Sequence, residues 1–444
     1  MAADELFESG SVPKVYFRFA LPVVMGMVTT LVYNIVDTFF IAQTGNMELV
    51  AGVSLSAPMF TMMIGLGDIF GLGGSSLVSR LFGQKRDEDG KRISSFSFYA
   101  AFVVGLVVTI FLLLFKPQVL ALLGADETTV KYASEYYFYL VLGAPFVILS
   151  YTPHNLLRME GLAGMSMAGT VLGAVVNIIL DPIFIFTLGW GAAGAAIASS
   201  LGYVCVDVFY VWALVRKSKR LSIRPRYLHV SGAELKDILV IGIPASVTNI
   251  MQTLGTAILN RFLLVYGTTA VASMGIALKA KMIVTMVMVG FAFGPQPLIG
   301  YNYGAGNRER LKKILRFCYT FQCSLAFVMS IVLILFAPQL IRIFMDDSEV
   351  IQLGAPMLRW QLYGMVFMAI VMVTTCIFQS TGKAVGALLL SINRQGILFI
   401  IMIVISNRFA GYTGVIASQA VTDLLTAVLA VVLFKKMLYK ELIE

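Results

Sequence analysis

The chain has 444 residues, 59% of them hydrophobic and only 13% charged, with a mean hydropathy of +0.86 and a formal net charge of +9. Soluble domains carry about 25% charged residues, so this composition excludes a soluble globular protein and points to a polytopic membrane protein. The positive charge sits in loops and speaks of topology, so no nucleic-acid partner is expected.

A helix needs about 20 apolar residues to cross a bilayer core of roughly 30 Å. Twelve such segments recur, at 17–42, 50–79, 93–115, 132–153, 166–188, 191–215, 237–266, 269–300, 314–336, 352–378, 384–406 and 411–434. The expected fold class is therefore an all-α polytopic membrane protein with twelve transmembrane helices.

The first segment contains Pro22 and then Tyr33, Asn34 and Asp37. An ionisable group at such a depth is costly and marks a partner or a task. The second carries Gly65-x-Gly67-Asp68-Ile-Phe-Gly71-x-Gly73-Gly74. Those glycines suit close helix packing and do not form a phosphate loop. Asp68 reads as a polar contact between lobes or a second proton site. The fifth segment ends in Asn177-Ile-Ile-Leu-Asp181-Pro182, and Ser199 lies early in the sixth.

Tyr33 and Asp37 are four apart, as are Asn177 and Asp181, so each pair shares a helix face. Asp37 lies about 18 residues into its span and Asp181 about 15, which at 1.5 Å per residue gives similar depths in the outer half. Ser199 starts near the same level. Two carboxylates, an amide and a hydroxyl are hard oxygen ligands of the kind an alkali cation prefers. Two carboxyls brought together can equally share a proton.

Further along, Asn249, Gln252, Asn260 and Arg261 lie in the seventh segment, Lys279 and Lys281 in the eighth, and Gln379 at the tenth. Charges within the segments divide by half. Asp37, Asp68, Asp181 and Asp207 fall in the first, and Arg261, Lys279, Lys281, Arg359 and Arg394 in the second, with Asp423 the exception. Lys279 and Lys281 are two apart, so only one of them can face a cleft squarely.

Basic residues crowd alternate loops: Lys85, Arg86, Lys91 and Arg92; Arg216 to Arg226; Arg308 to Arg316; and Lys435 to Lys440. Loops 43–49, 189–190 and 267–268 hold no Lys or Arg. The positive-inside rule then places both termini in the cytoplasm. Met1 to Gly10 is acidic and lacks a cleavable signal pattern. Cys205, Cys318, Cys323 and Cys376 form no CxxC, and His154 and His229 are far apart and lack neighbours, so neither a zinc site nor a disulfide framework is expected.

The first half aligns on the second at an offset of about 221 residues. Leu21-Pro22 matches Ile243-Pro244, Gly45 matches Gly267, and Lys91-Arg92-Ile93 matches Lys312-Lys313-Ile314. Leu114-Phe-Lys-Pro117-Gln118 matches Leu335-Phe-Ala-Pro338-Gln339, Gly161 matches Gly382, and Ile197-Ala-Ser199 matches Ile416-Ala-Ser418. The expected units are 1–215 and 237–444, joined by a basic linker at 216–236. An even helix count per unit gives both the same orientation.

With Asn34-x-x-Asp37 after the proline, Ser79-Arg80-x-x-Gly83, Arg158-x-Glu160-Gly161 and Asn177-Ile-Ile-Leu-Asp181-Pro182 in order, the chain resembles the multidrug and toxic compound extrusion (MATE) antiporters. The likeness is to their DinF-like and MepA-like branch. It implies a V-shaped fold of two six-helix lobes and export of amphipathic compounds against inward flow of H⁺ or Na⁺. It also implies that Asp37, Asn177, Asp181 and Ser199, with Tyr33, form the cation site, and that Pro22 bends the first helix as a gate. Asn34, Asp68, Asn249, Gln252, Lys279, Lys281 and Gln379 are candidates for the substrate cleft. NorM-like members carry carboxylates in the second lobe, which Asn249, Gln252, Asn260, Arg261 and Gln379 do not supply.

The expected protein is thus a cation-coupled exporter of small amphipathic organic compounds in the cytoplasmic membrane. It is expected to be a monomer and to need no cofactor beyond its coupling ion. The alternative is a flippase for lipid-linked or anionic amphiphiles. An enzyme would need a nucleophile with a base, or a metal cluster, and no HExxH or GxSxG occurs. A channel would need charge rings or filter repeats, which are absent.

Overall fold

The computed structural model describes residues 3–443, and among them there is no strand. The helices of the first half are α1 (Ala3–Glu8), α2 (Val12–Gln43), α3 (Met47–Ser54), α4 (Ala57–Gly83), α5 (Asp87–Leu114), α6 (Lys116–Leu122), α7 (Val130–Met159), α8 (Ala163–Pro182) and α9 (Gly191–Arg216). Those of the second are α10 (Gly232–Leu264), α11 (Thr268–Phe293), α12 (Gln296–Gly304), α13 (Arg308–Leu335), α14 (Ala337–Phe344), α15 (Ser348–Tyr363), α16 (Met365–Thr381), α17 (Ala384–Gln395), α18 (Ile397–Phe434) and α19 (Lys440–Ile443).

Among the described residues, ten stretches are long and apolar enough to cross a membrane, and the pair α15–α16, bent by 44° about Gly364, makes an eleventh. One of the ten runs from Ala384 to Leu442, 59 residues. At 1.5 Å per residue it would be about 90 Å long if straight. It is not straight. Gly411 has φ 53°, ψ −130°, and a Cβ on Gly414 would run into the Ser406 carbonyl, so the chain doubles back there. That reversal separates the two segments read in the sequence as 384–406 and 411–434.

The repeat is visible element by element. α5 and α6 correspond to α13 and α14, each long helix followed by a short one opened by a proline. Gly45 and Gly267 both end helical hairpins with positive φ, as do Gly161 and Gly382. A side chain would be strained at these turns.

The chain forms two compact units, Met25–Ser246 and Met1–Val24 with Val247–Glu444. Both divisions fall inside a helix, α2 just after Pro22 and α10 just after Pro244. In the second unit, α1 is anchored by Tyr301 Oη donating to Glu8 at 2.7 Å and Arg310 Nε donating to the Phe7 carbonyl at 2.6 Å. In the first, the linker is tied down by Ser94 and Ser95, whose hydroxyls donate to the Ser222 carbonyl at 3.0 and 2.8 Å. Large apolar side chains such as Val107, Ile110, Val208, Phe327 and Val428 lie exposed on the outer faces. In a soluble protein that would be a liability; against lipid it is the required surface.

Candidate cation site

The site lies within the Met25–Ser246 unit and is built by α2, α8 and α9. Two glycines let α8 and α9 approach. A Cβ on Gly202 would lie 3.1 Å from the Gly173 carbonyl and 3.6 Å from Asn177 Cβ. Only hydrogen at these positions lets Asn177 stand beside Ser199 on the next helix. α8 then widens into a π-turn at Ile183–Thr187, directly after Pro182. Pro182 lacks an N–H and crowds the carbonyl four residues back, which loosens the helix. Such turns often mark functional positions. Gly194 packs against the Phe184 carbonyl, a Cβ there coming within 2.7 Å, and so seats the start of α9 on this turn.

The side chains converge as the spacing suggests. Asn177 Nδ2 lies 3.4 Å from Asp181 Oδ1 and 3.2 Å from Ser199 Oγ. With the amide turned over, its nitrogen donates to Asp181 Oδ2 at 2.9 Å and its oxygen accepts from the Ser199 amide and hydroxyl, both at 3.2 Å. This second orientation satisfies both ends of the amide. Tyr33 Oη is 3.3 Å from Ser199 Oγ. Asp37 and Asp181 lie near enough to feel each other's charge. Two carboxyls brought together in this way can share a proton or a cation. Asn177, Asp181 and Ser199 are buried, and Asp37 and Tyr33 half-buried. Asp37 Oδ1 is buried without a hydrogen-bond partner, leaving acceptor capacity inside the cluster.

Tyrosines surround the carboxyls, and the sequence reading had not singled them out. Tyr136 on α7 is within electrostatic reach of both Asp37 and Asp181, and Tyr203 on α9 of Tyr33 and Tyr136. The sequence had also left His154 without neighbours. The fold gives it two, with Nδ1 3.1 Å from Tyr210 Oη and 2.9 Å from Ser166 Oγ.

Of the cleft candidates in this unit, Asn34 is exposed and Asp68 half-buried on α4, within electrostatic reach of Tyr151. In the other unit, Pro22 is half-buried within a continuous α2; Asn249 is half-buried and Gln252 exposed on α10; Gln379 is buried on α16. The two lysines separate as their spacing requires: Lys279 is exposed and Lys281 buried, its Nζ donating to Gln361 Oε1 at 2.9 Å. Asp423 is fully buried and accepts from Arg394 Nε at 2.8 Å and Gln419 Nε2 at 3.1 Å. Arg359 turns to the Ile334 carbonyl at 3.3 Å.

A helical membrane fold with a buried, oxygen-rich cluster is the architecture of a membrane transporter. The chain belongs to the MatE family, whose model matches it twice, over residues 22–183 and 244–405, one match for each half of the repeat. It is 30% identical over 427 residues to the multidrug export protein MepA of Staphylococcus saprophyticus, covering 96% of this chain and 94% of that protein. It is 31% identical over 428 residues to MepA of Staphylococcus aureus, with the same coverage. Among solved structures it resembles an outward-facing multidrug resistance MATE family transporter of the MOP superfamily, with TM-score 0.93, 27% identity, and 99% and 98% of the two chains covered. It is equally similar to a MOP superfamily transporter from Pyrococcus furiosus, with TM-score 0.93 and 27% identity over 100% and 99% of the chains.

Proposed function

We propose that this protein exports amphipathic organic compounds across the cytoplasmic membrane by alternating access, driven by counterflow of H⁺ or Na⁺ through the cluster of Asp37, Asn177, Asp181, Ser199 and Tyr33. The observation that carries the reading is the convergence of these five oxygen-bearing side chains from three helices, with Asp181 feeling the charge of Asp37. The names of the relatives, multidrug export proteins, support the substrate class. Pro22, beside the division within α2, is the gate of this scheme. The lobes, 1–215 and 237–444, carry both termini and the basic linker 216–236 on the cytoplasmic side, as the loop charges argue.

The test is transport by purified protein in proteoliposomes, with pH and Na⁺ gradients imposed separately and a fluorescent organic cation as substrate. One gradient should drive dye movement, and Asp37→Asn should abolish it. Dye movement indifferent to both gradients sinks the coupling.

One observation favours a second reading, a flippase for lipid-linked or anionic amphiphiles. Lys281 and Arg394 share a buried cluster with a single carboxylate, Asp423, which leaves a surplus of positive charge. Transport of matched cationic and anionic dyes separates the two readings.

A further inference from the structure

One face of α9 carries more than the cation cluster needs. Ser199, Tyr203, Asp207 and Tyr210 fall at i, i+4, i+8 and i+11, one above another along a single stripe. At 1.5 Å per residue the stripe runs about 16 Å, roughly half the hydrocarbon thickness. Its upper end, Ser199, is bonded to Asn177 and Tyr33. At its lower end Tyr210 Oη donates to the Ser166 carbonyl at 2.8 Å and lies 3.1 Å from His154 Nδ1. Gly169 is the seat of that ring, since any Cβ there would collide with it. The lower end is also where α9 runs out at Arg216, beside the basic linker.

Asp207 stands in the middle and is anomalous. It is 5% exposed, and neither carboxyl oxygen has a hydrogen-bond partner. A buried carboxyl without partners is expensive to keep charged, and such groups inside a membrane are functional by default. The groups around it are identifiable. Tyr203 and Tyr210 on its own helix both feel its charge. Those two rings in turn meet Tyr151 and His154 on α7 and Ser166 and Thr170 on α8. Arg158, whose charge His154 feels, donates to Asn155 Oδ1 at 3.3 Å. Tyr151 and Tyr203 are close enough to influence each other's charge. No ion pair explains Asp207, and no helix cap does.

We propose that Asp207 is a second proton-binding carboxyl of this unit, the middle rung of a ladder by which protons pass between the Asp37–Asp181 pair and the His154 end. Each rung takes a proton on its free oxygen or nitrogen and releases its own to the next, so no net bond is made or lost. Successive rungs are one helical turn apart, about 5–6 Å, a spacing that one bridging water closes. Asp207 stores the proton in transit, because it alone can hold one as a neutral acid far from both ends.

This inference rests on coupling at Asp37 and Asp181, and its test keeps the two apart. The full-length protein in proteoliposomes is assayed for H⁺-driven export of an organic cation dye and for dye-for-dye exchange, which moves no net proton. Asp207→Asn, isosteric and replacing an unpartnered group, should lower H⁺-driven export at least tenfold while exchange falls no more than twofold. Equal loss of both activities, or loss of neither, overturns the ladder. Export driven by Na⁺ alone overturns it too while leaving the cation site standing. Full H⁺-driven export in Asp37→Asn overturns the coupling reading itself. Should Asp207→Asn fail to fold, Tyr203→Phe breaks the stripe one turn away and is read by the same pair of assays.

Discussion

Tyr33 and Ser199, 166 residues apart, bring their hydroxyl oxygens to 3.3 Å and so join α2 to α9 at the level of the two carboxyls. The contact couples the helix that carries Asp37 to the one that faces Asn177. Any shift of α2 along its axis must alter this contact and the distance between Asp37 and Asp181 together. In the proposed mechanism, uptake of a proton or cation between the carboxyls would thereby be linked to a helix movement.

The first expectation follows from chemistry at those carboxyls. Asp37→Asn preserves shape but can neither exchange a proton nor neutralise a cation, and coupled export should fall below a tenth of the parent at equal expression. Asp181→Asn should behave alike. Asn177→Ala removes one neutral ligand and leaves both carboxyls, so a loss of only severalfold is expected. Drug-resistance assays in cells, normalised to protein in the membrane, decide this. Full resistance in Asp37→Asn would remove the site from the mechanism.

The glycine crossing gives a second expectation. Gly202→Leu must push α9 away from the Gly173 carbonyl, which a Cβ would already meet at 3.1 Å. Overpacking of this kind costs about 1–3 kcal/mol. It should also separate Ser199 from Asn177, so melting temperature and coupling should fall together. Gly26→Ala is the control, because a Cβ there meets nothing within 4 Å. Its stability should hold or rise, by up to about 1 kcal/mol from helix propensity.

Much of this cluster is legible in the sequence alone. Carboxylates are conspicuous in apolar segments, and the four-residue spacing of Asn177 and Asp181 already set them on one face. Tyr136 and Tyr203 were not legible, because a tyrosine in an apolar helix looks the same whether it faces a carboxylate or the lipid headgroups. His154 depends on Ser166 and Tyr210, 12 and 56 residues away, and no local pattern signals such contacts. The stripe of 199, 203, 207 and 210, by contrast, was present in the spacing and needed only to be read past Ser199. The helix count was harder at the end of the chain, where Gly411 alone separates two segments that composition runs together.

The linker gives a third expectation. Glu160, at the end of α7, accepts from the Lys219 amide at 2.6 Å, from the Arg220 amide at 2.9 Å, and from the Ser218 hydroxyl. Arg220 Nε in turn donates to Asp87 at 2.8 Å. Hydrogen bonds to a charged acceptor contribute about 1.5–3 kcal/mol each. Glu160→Ala should therefore release the segment around Lys217, Lys219 and Arg220. Trypsin added to inside-out vesicles should cut there at least fivefold faster than in the parent. An unchanged cleavage rate would mean that Ser94, Ser95 and Asp87 hold the linker without Glu160.

The last expectation concerns the only carboxylate among the second-half charges read in the sequence. Asp423 has no exposed surface and meets Arg394 at 2.8 Å, with Gln419 as its other donor. Removing one partner of a buried pair strands the other charge and costs about 3–5 kcal/mol. Arg394→Leu should therefore lower the melting temperature in detergent by several degrees. The double change Arg394→Leu with Asp423→Leu removes both charges and should recover most of the loss, because desolvation of the pair offsets much of its attraction. Lys281, bonded to Gln361, feels both charges, and in the double variant it keeps Gln361 as its partner. A single variant as stable as the parent would show that Gln419 suffices for Asp423. A double variant no better than the single would show that the pair is held for its geometry at the α17–α18 packing rather than for its charge.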